Sequence, residues 1–109
     1  MYLNGTIYEG EWKNELKHEE GLEICPNGNQ YEGSYADGKP EGVGVFTWNN
    51  GEKYEGEWHN GMRHGSGTWH GLYGELFAGE WKCGKADGKG VHVGRNGTQY
   101  FFTESLSLL

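Results

Sequence analysis

Apolar and polar residues alternate along this chain in short, regularly spaced bursts. In Tyr54-Glu55-Gly56-Glu57-Trp58 successive side chains of an extended chain point to opposite sides, so Tyr54, Gly56 and Trp58 share one face while Glu55 and Glu57 share the other. The burst recurs as Tyr8-Glu9-Gly10-Glu11-Trp12, Tyr31-Glu32-Gly33-Ser34-Tyr35 and Phe77-Ala78-Gly79-Glu80-Trp81, and Tyr100 opens a degenerate fifth copy, each 23 residues after the last. Glycines keep step: Gly38, Gly61 and Gly84 follow the first strand of a unit, Gly42/Gly44, Gly65/Gly67 and Gly88/Gly90 precede the second, and Gly28, Gly51, Gly74 and Gly97 close it. A unit of this length predicts two short strands and two turns. The 3.6-residue period of a helix is absent, and glycine at this density would cost a helix about 1 kcal/mol per interior position.

The glycines have a mechanical reading. A strand bare of side chains lets a ring from its neighbour lie flat across it, so rings and glycines in register can stack without a second layer. The predicted fold is all-β, an elongated, open-ended, single-layer twisted antiparallel sheet of tandem β-hairpins. Residues 1–7 read as the end of a preceding partial repeat, 8–30, 31–53, 54–76 and 77–99 as four repeats, and 100–109 as a degenerate repeat or apolar cap. About nine strands at about 4.8 Å each predict a sheet roughly 43 Å long. The first repeat departs from the pattern, with Glu15 and Glu19 where the others have glycine, which puts its hairpin geometry in question.

Composition narrows the functional classes. Only 34% of the 109 residues are hydrophobic, too few for a thick two-layer core, yet 15% are aromatic, which argues against disorder. A formal charge of −7 disfavours nucleic acid. No apolar run approaches the roughly 20 residues of a membrane helix, and the first residues lack signal-peptide character, which predicts a cytoplasmic protein. Cys25 and Cys83 share no metal or redox spacing, and Asn4-Gly5-Thr6 and Asn96-Gly97-Thr98 read as turns before they read as glycosylation sites. His18, His59, His64, His70 and His92 show no zinc-ligand pattern, and no nucleophile elbow or dinucleotide loop is present. The expectation is a chain with no catalytic residues, metal or cofactor.

Tyr54 to Trp58 followed by Asn60-Gly61-Met62-Arg63-His64-Gly65-Ser66-Gly67-Thr68 resembles the MORN (membrane occupation and recognition nexus) repeat, and the likeness extends from about Asn4 to Gln99. The resemblance implies a scaffold that binds protein segments, in cytoskeletal, ciliary or cortical assemblies. On this reading an amphipathic helix or extended peptide docks along an exposed aromatic strip, with Tyr31, Tyr35, Tyr54, Trp58, Phe77 and Trp81 as anchors. The alternative is an anionic phospholipid surface met by Lys13, Lys17, Lys39, Arg63, Lys82 and Lys85 at the hairpin tips, where Glu15, Glu19, Asp37, Glu41 and Asp87 oppose it. Open sheet edges add homodimerisation or end-to-end association as a further expectation.

Overall fold

The computed structural model describes residues 5–102, and side-chain surroundings up to residue 99. Its nine strands are β1 (Ile7–Lys13), β2 (Leu16–Ile24), β3 (Gln30–Ala36), β4 (Lys39–Thr47), β5 (Lys53–His59), β6 (Met62–His70), β7 (Leu76–Lys82), β8 (Lys85–Val93) and β9 (Gln99–Phe102). They form one antiparallel sheet in chain order. The long axis measures 45 Å, close to the length that strand spacing predicts. Of the apolar cap expected over 100–109, residues 100–102 belong to β9 and the remainder lies outside the described residues, as do Met1 to Asn4 of the partial repeat.

Within each repeat the strands are joined by a two-residue turn, fixed by the pairs Lys13↔Leu16, Ala36↔Lys39, His59↔Met62 and Lys82↔Lys85. Both central residues of every such turn have positive φ, from 50° at Cys83 to 84° at Gly84, which is the type I′ geometry matched to strand twist. Glu15 (φ 67°) keeps the shape that Gly38, Gly61 and Gly84 adopt freely, so the first hairpin retains the common geometry at the cost of a strained side chain. Successive repeats are stapled at these tips, where the amides of Gly38, Gly61 and Gly84 donate to the carbonyls of Lys17, Pro40 and Arg63.

The other connections are loops such as Cys25 to Asn29, closed by Cys25 N–H on the Asn29 carbonyl and Gly28 N–H on the Cys25 carbonyl. Asn27, Asn50 and Asn96 each accept a backbone N–H two residues on, a local turn device; Tyr73 holds that position in the third repeat.

A departure from simple alternation sits inside each repeat. Between Gly33↔Gly44 and Tyr35↔Pro40 the odd strand advances two residues and the even strand four, and β1/β2, β5/β6 and β7/β8 repeat the irregularity. The extra residues form a bulge at Glu19, Gly42, Gly65 and Gly88, all with φ between 53° and 98°. Beside it, the tyrosine that opens the repeat reaches back: Tyr8, Tyr31 and Tyr54 hydroxyls donate to the carbonyls of Glu11, Ser34 and Glu57 at 2.8–2.9 Å. The hydroxyl thus serves a carbonyl at the point where the ladder is interrupted.

The core is a ring ladder over a floor of glycines. A Cβ on Gly21, Gly44 or Gly67 would fall inside the phenol of Tyr8, Tyr31 or Tyr54, and one on Gly90 would stand 2.7 Å from Phe77 Cζ. The mechanical reading of the glycines therefore holds in all four repeats. The rings meet edge to face in a chain that runs Trp12, Tyr8, Tyr35, Tyr31, Trp58, Tyr54, Trp81, Phe77, with centroids 4.9–5.4 Å apart. Edge-to-face pairs of this kind contribute about 0.5–1.5 kcal/mol each beyond area burial. Because Tyr8 touches Tyr35, Tyr31 touches Trp58 and Tyr54 touches Trp81, each repeat completes the packing of the next.

Candidate functional site

The six rings expected to anchor a partner lie in the interior of this ladder. Tyr31, Tyr35, Tyr54, Trp58, Phe77 and Trp81 are between 0 and 7% exposed and, with Tyr8 and Ala86, form the buried cluster among the described residues. The expectation of an exposed strip at these positions is corrected. A single sheet can bury its own rings when they lie along the strands over glycine and stack on one another, so no second layer is needed to hide them. Trp58 and Trp81 also have their indole N–H groups satisfied, by the carbonyls of Gly44 and Gly67 at 3.1 Å. Burial raises the phenols of Tyr31 and Tyr35 well above the ordinary tyrosine range, with neighbouring carboxylates adding to it, and pushes Tyr54 up to about 12.

What the ring face offers to its surroundings comes from the even strands. Phe46 stands opposite Tyr31 and Tyr54, and Trp69 opposite Tyr54 and Phe77. Phe46, Trp48 and Trp69 are half-buried against the ladder, so each keeps an accessible edge. Phe46 and Trp48 pack with centroids 4.8 Å apart, and the Trp69 indole donates to Glu52 at 3.1 Å. The Arg63 guanidinium lies 4.7 Å from the Trp81 ring and 5.8 Å from that of Trp48, and it donates to the Gly84 carbonyl. Burial lowers its proton affinity, and the cation–π contacts compensate in part for lost hydration. At the other end of the face, Lys17 pairs with Glu23 at 2.9 Å, and the Tyr35 hydroxyl donates to the same carboxylate at 3.0 Å.

Repetition does not single out Phe46, Trp48 and Trp69, and it marks Arg63 only as a basic residue of a hairpin tip, because they fall in columns that change from repeat to repeat: Glu23, Phe46, Trp69 and His92 in one, Lys17, Pro40, Arg63 and Ala86 in another, Cys25, Trp48, Gly71 and Gly94 in a third. For Phe46 and Trp69 the available signal was their register opposite the opening rings of the repeats, and for Arg63 its register opposite Trp58. The opposite face is as alternation predicts, with Glu9, Glu32, Glu55 and Glu57 exposed.

Of the six basic residues assigned to the tips, Lys17 and Arg63 are turned into the ring face. Lys13, Lys39, Lys82 and Lys85 remain exposed at the turns. Near the third turn, Glu41 accepts from the Asn60 amide and lies 3.0 Å from His59 Nδ1; the amide bond first and the imidazole second hold its carboxyl below the usual range. Among the described residues no group of His, Cys, Asp and Glu is placed to hold a metal ion, and no helix is long and apolar enough to cross a membrane.

Comparison with curated proteins finds no match. Comparison with protein families matches the MORN repeat four times, over residues 8–30, 31–53, 54–71 and 77–99. The third match breaks off at the loop where Leu72 and Tyr73 replace the asparagine turn. With the repeat period, the hairpin register and the glycine-floored ladder in agreement with it over most of the chain, the protein belongs to the MORN repeat family.

Proposed function

We propose that this chain is a non-catalytic scaffold that holds a protein segment across its ring face, over strands β4 to β6. The observation that supports this is the accessible edge of three large rings, Phe46, Trp48 and Trp69, packed on a floor of buried aromatics, with Arg63 against Trp48. Tryptophan and arginine at one patch are the side chains that dominate protein interfaces, because they bring large contact area at low entropy cost. The sheet is long enough for a helix of up to about 30 residues lying across the strands. An apolar helix stripe would insert between Trp48 and Trp69, with the turns at either side left in water. The family resemblance suggests a cytoplasmic setting such as a cytoskeletal or ciliary assembly.

The experiment is affinity capture with wild type and with a Trp48→Ser/Trp69→Ser variant that circular dichroism shows to be folded. A partner retained by wild type is expected to lose at least tenfold in affinity for the variant, since two half-buried indoles each contribute on the order of 1–2 kcal/mol at an interface. If the folded variant keeps its partners at unchanged affinity, the ring face is not the binding surface.

A further inference from the structure

Among the described residues, asparagine is followed by glycine at Asn27, Asn50, Asn60 and Asn96, and each pair belongs to a turn. The pair that suits a tight turn is also chemically reactive, because glycine has no side chain to keep its amide nitrogen away from the asparagine carboxamide. In all four pairs the glycine N–H is engaged. Gly28, Gly51 and Gly97 donate to the carbonyls of Cys25, Trp48 and Gly94, each inside its own loop, at 2.9 Å. Gly61 donates at 3.0 Å to the Pro40 carbonyl, which belongs to the repeat before.

The side chains divide the four. The carboxamide oxygens of Asn27 and Asn96 accept the amides of Asn29 and Thr98 at 3.0 and 2.9 Å. Asn50 is held twice by Glu52, accepting its amide at 2.9 Å and donating Nδ2 to its carboxylate at 2.7 Å. Ring closure onto the following nitrogen turns the carboxamide about the Cα–Cβ bond, so these contacts have to break first. Asn60 is exposed at the first centre of the β5–β6 turn, with φ 55°. The bonds described there are made by the backbone: its own N–H on Glu41 at 3.0 Å and the Gly61 N–H on Pro40. Losing the second of these bonds releases the nitrogen beside its target, and openings confined to an exposed turn lie at the low end of the free-energy scale.

We propose that Asn60 is the site at which the folded protein deamidates, and that the reaction unfastens the third repeat from the second. The lone pair of the Gly61 nitrogen attacks Asn60 Cγ and forms an N–C bond. The Cγ–Nδ2 bond breaks, and Nδ2 leaves as ammonia with the proton that Gly61 gives up. The product is a five-membered succinimide, in which Gly61 has no N–H left to donate to Pro40. Water then opens the ring at either carbonyl. Opening at Cγ restores the ordinary backbone with aspartate at residue 60, the residue type that Asp37 supplies at the same place in the second repeat. Opening at the Asn60 backbone carbonyl leaves an isoaspartate, whose chain runs through the side chain and is one carbon longer. A two-residue turn set by His59↔Met62 has no room in its register for that atom. The same reaction at Asn27, Asn50 or Asn96 removes a bond internal to one loop.

Peptide mapping by mass spectrometry tests the proposal on the full chain, held folded in mildly alkaline buffer and, in parallel, unfolded in urea. Electron-transfer fragmentation separates aspartate from isoaspartate at each position. In urea the four asparagines are expected to react at similar rates. In the folded chain Asn60 is expected to lead the other three by about fivefold or more, the factor set by the extra side-chain hydrogen bond that they have to break. Copies carrying isoaspartate at residue 60, isolated by ion exchange, are expected to melt earlier and to exchange the Gly61 amide faster. Asn60→Asp, which carries the ordinary product, is expected to keep that amide protected. The proposal is overturned if Asn27, Asn50 or Asn96 keeps pace with Asn60 in the folded chain, or if Asn60 survives there intact while the unfolded chain is converted. It is equally overturned if the isoaspartate copies keep both the wild-type melting midpoint and the protection of Gly61.

Discussion

The ring ladder makes a sharp demand on one glycine. Gly67 has no positive φ, so alanine is conformationally acceptable there, but its Cβ would stand 2.6 Å from Tyr54 Cε2 and closer still to the hydroxyl. Tyr54 has nowhere to go: it is 0% exposed, wedged edge-on between Trp58 and Trp81 at 5.2 Å each, and tied to the Glu57 carbonyl at 2.9 Å. Moving the ring loses that hydrogen bond, about 1 kcal/mol, and weakens two edge-to-face contacts at about 0.5–1.5 kcal/mol each. Against this, alanine returns about 0.4–1 kcal/mol by restricting the unfolded chain. Gly67→Ala should therefore cost about 1–3.5 kcal/mol, within the range for overpacked cores, and lower the melting temperature by on the order of 5–20 °C.

The assay is urea denaturation of Gly67→Ala beside Gly94→Ala, whose Cβ would meet nothing closer than Asn96 Oδ1 at 3.4 Å. The control should stay within about 0.5 kcal/mol of wild type. A double-mutant cycle isolates the cause: with Tyr54 already cut to alanine, Gly67→Ala should cost nothing further, giving a coupling of about 1 kcal/mol or more. Equal midpoints for Gly67→Ala and Gly94→Ala would refute the reasoning, as would additivity of Gly67→Ala with Tyr54→Ala.

Three further outcomes follow from the same geometry. Glu15→Gly/Glu19→Gly should raise stability by about 1 kcal/mol, the relief of two left-handed glutamates (φ 67° and 53°) less the entropy of two added glycines, read as a higher thermal midpoint. Phe77→Tyr should add about 0.5–1.5 kcal/mol, because the ring already lies over Gly90 as Tyr54 lies over Gly67, and the new hydroxyl would reach the Glu80 carbonyl as Tyr54 reaches that of Glu57. The raised pKa of Tyr54 fixes the sign of an alkaline transition: unfolded tyrosine ionises near pH 10 and the folded phenol near 12, so stability is intact below about pH 10 and falls as pH rises towards 12. Tyrosinate absorbance followed through that range should rise together with the loss of folded circular dichroism.

The relation between sequence and structure in this array turns on what repetition can record. Tyr8, Tyr31, Tyr54 and Phe77, with Gly21, Gly44, Gly67 and Gly90 beneath them, recur because every repeat has to solve the same packing problem, and the tandem hairpins and the sheet length were legible from that recurrence. The bulge was not legible as such, since Gly42, Gly65 and Gly88 read equally well as plain turn residues until the register shows four residues opposing two. Recurrence also misdirected the reading of the site. A ring present in every repeat is one the fold cannot do without, so Trp58 and Trp81 are spent on the interior and have little surface left for a partner. Residues that differ between repeats are released from that demand. The column holding Glu23, Phe46, Trp69 and His92 and, apart from the buried Ala86, the column holding Lys17, Pro40 and Arg63 border the ladder, and they give each step of the face its own charge and shape. Individual recognition by a repeat sheet of this kind has to be written in its irregular columns, because the regular ones are the same at every step and cannot tell one position along a bound segment from the next.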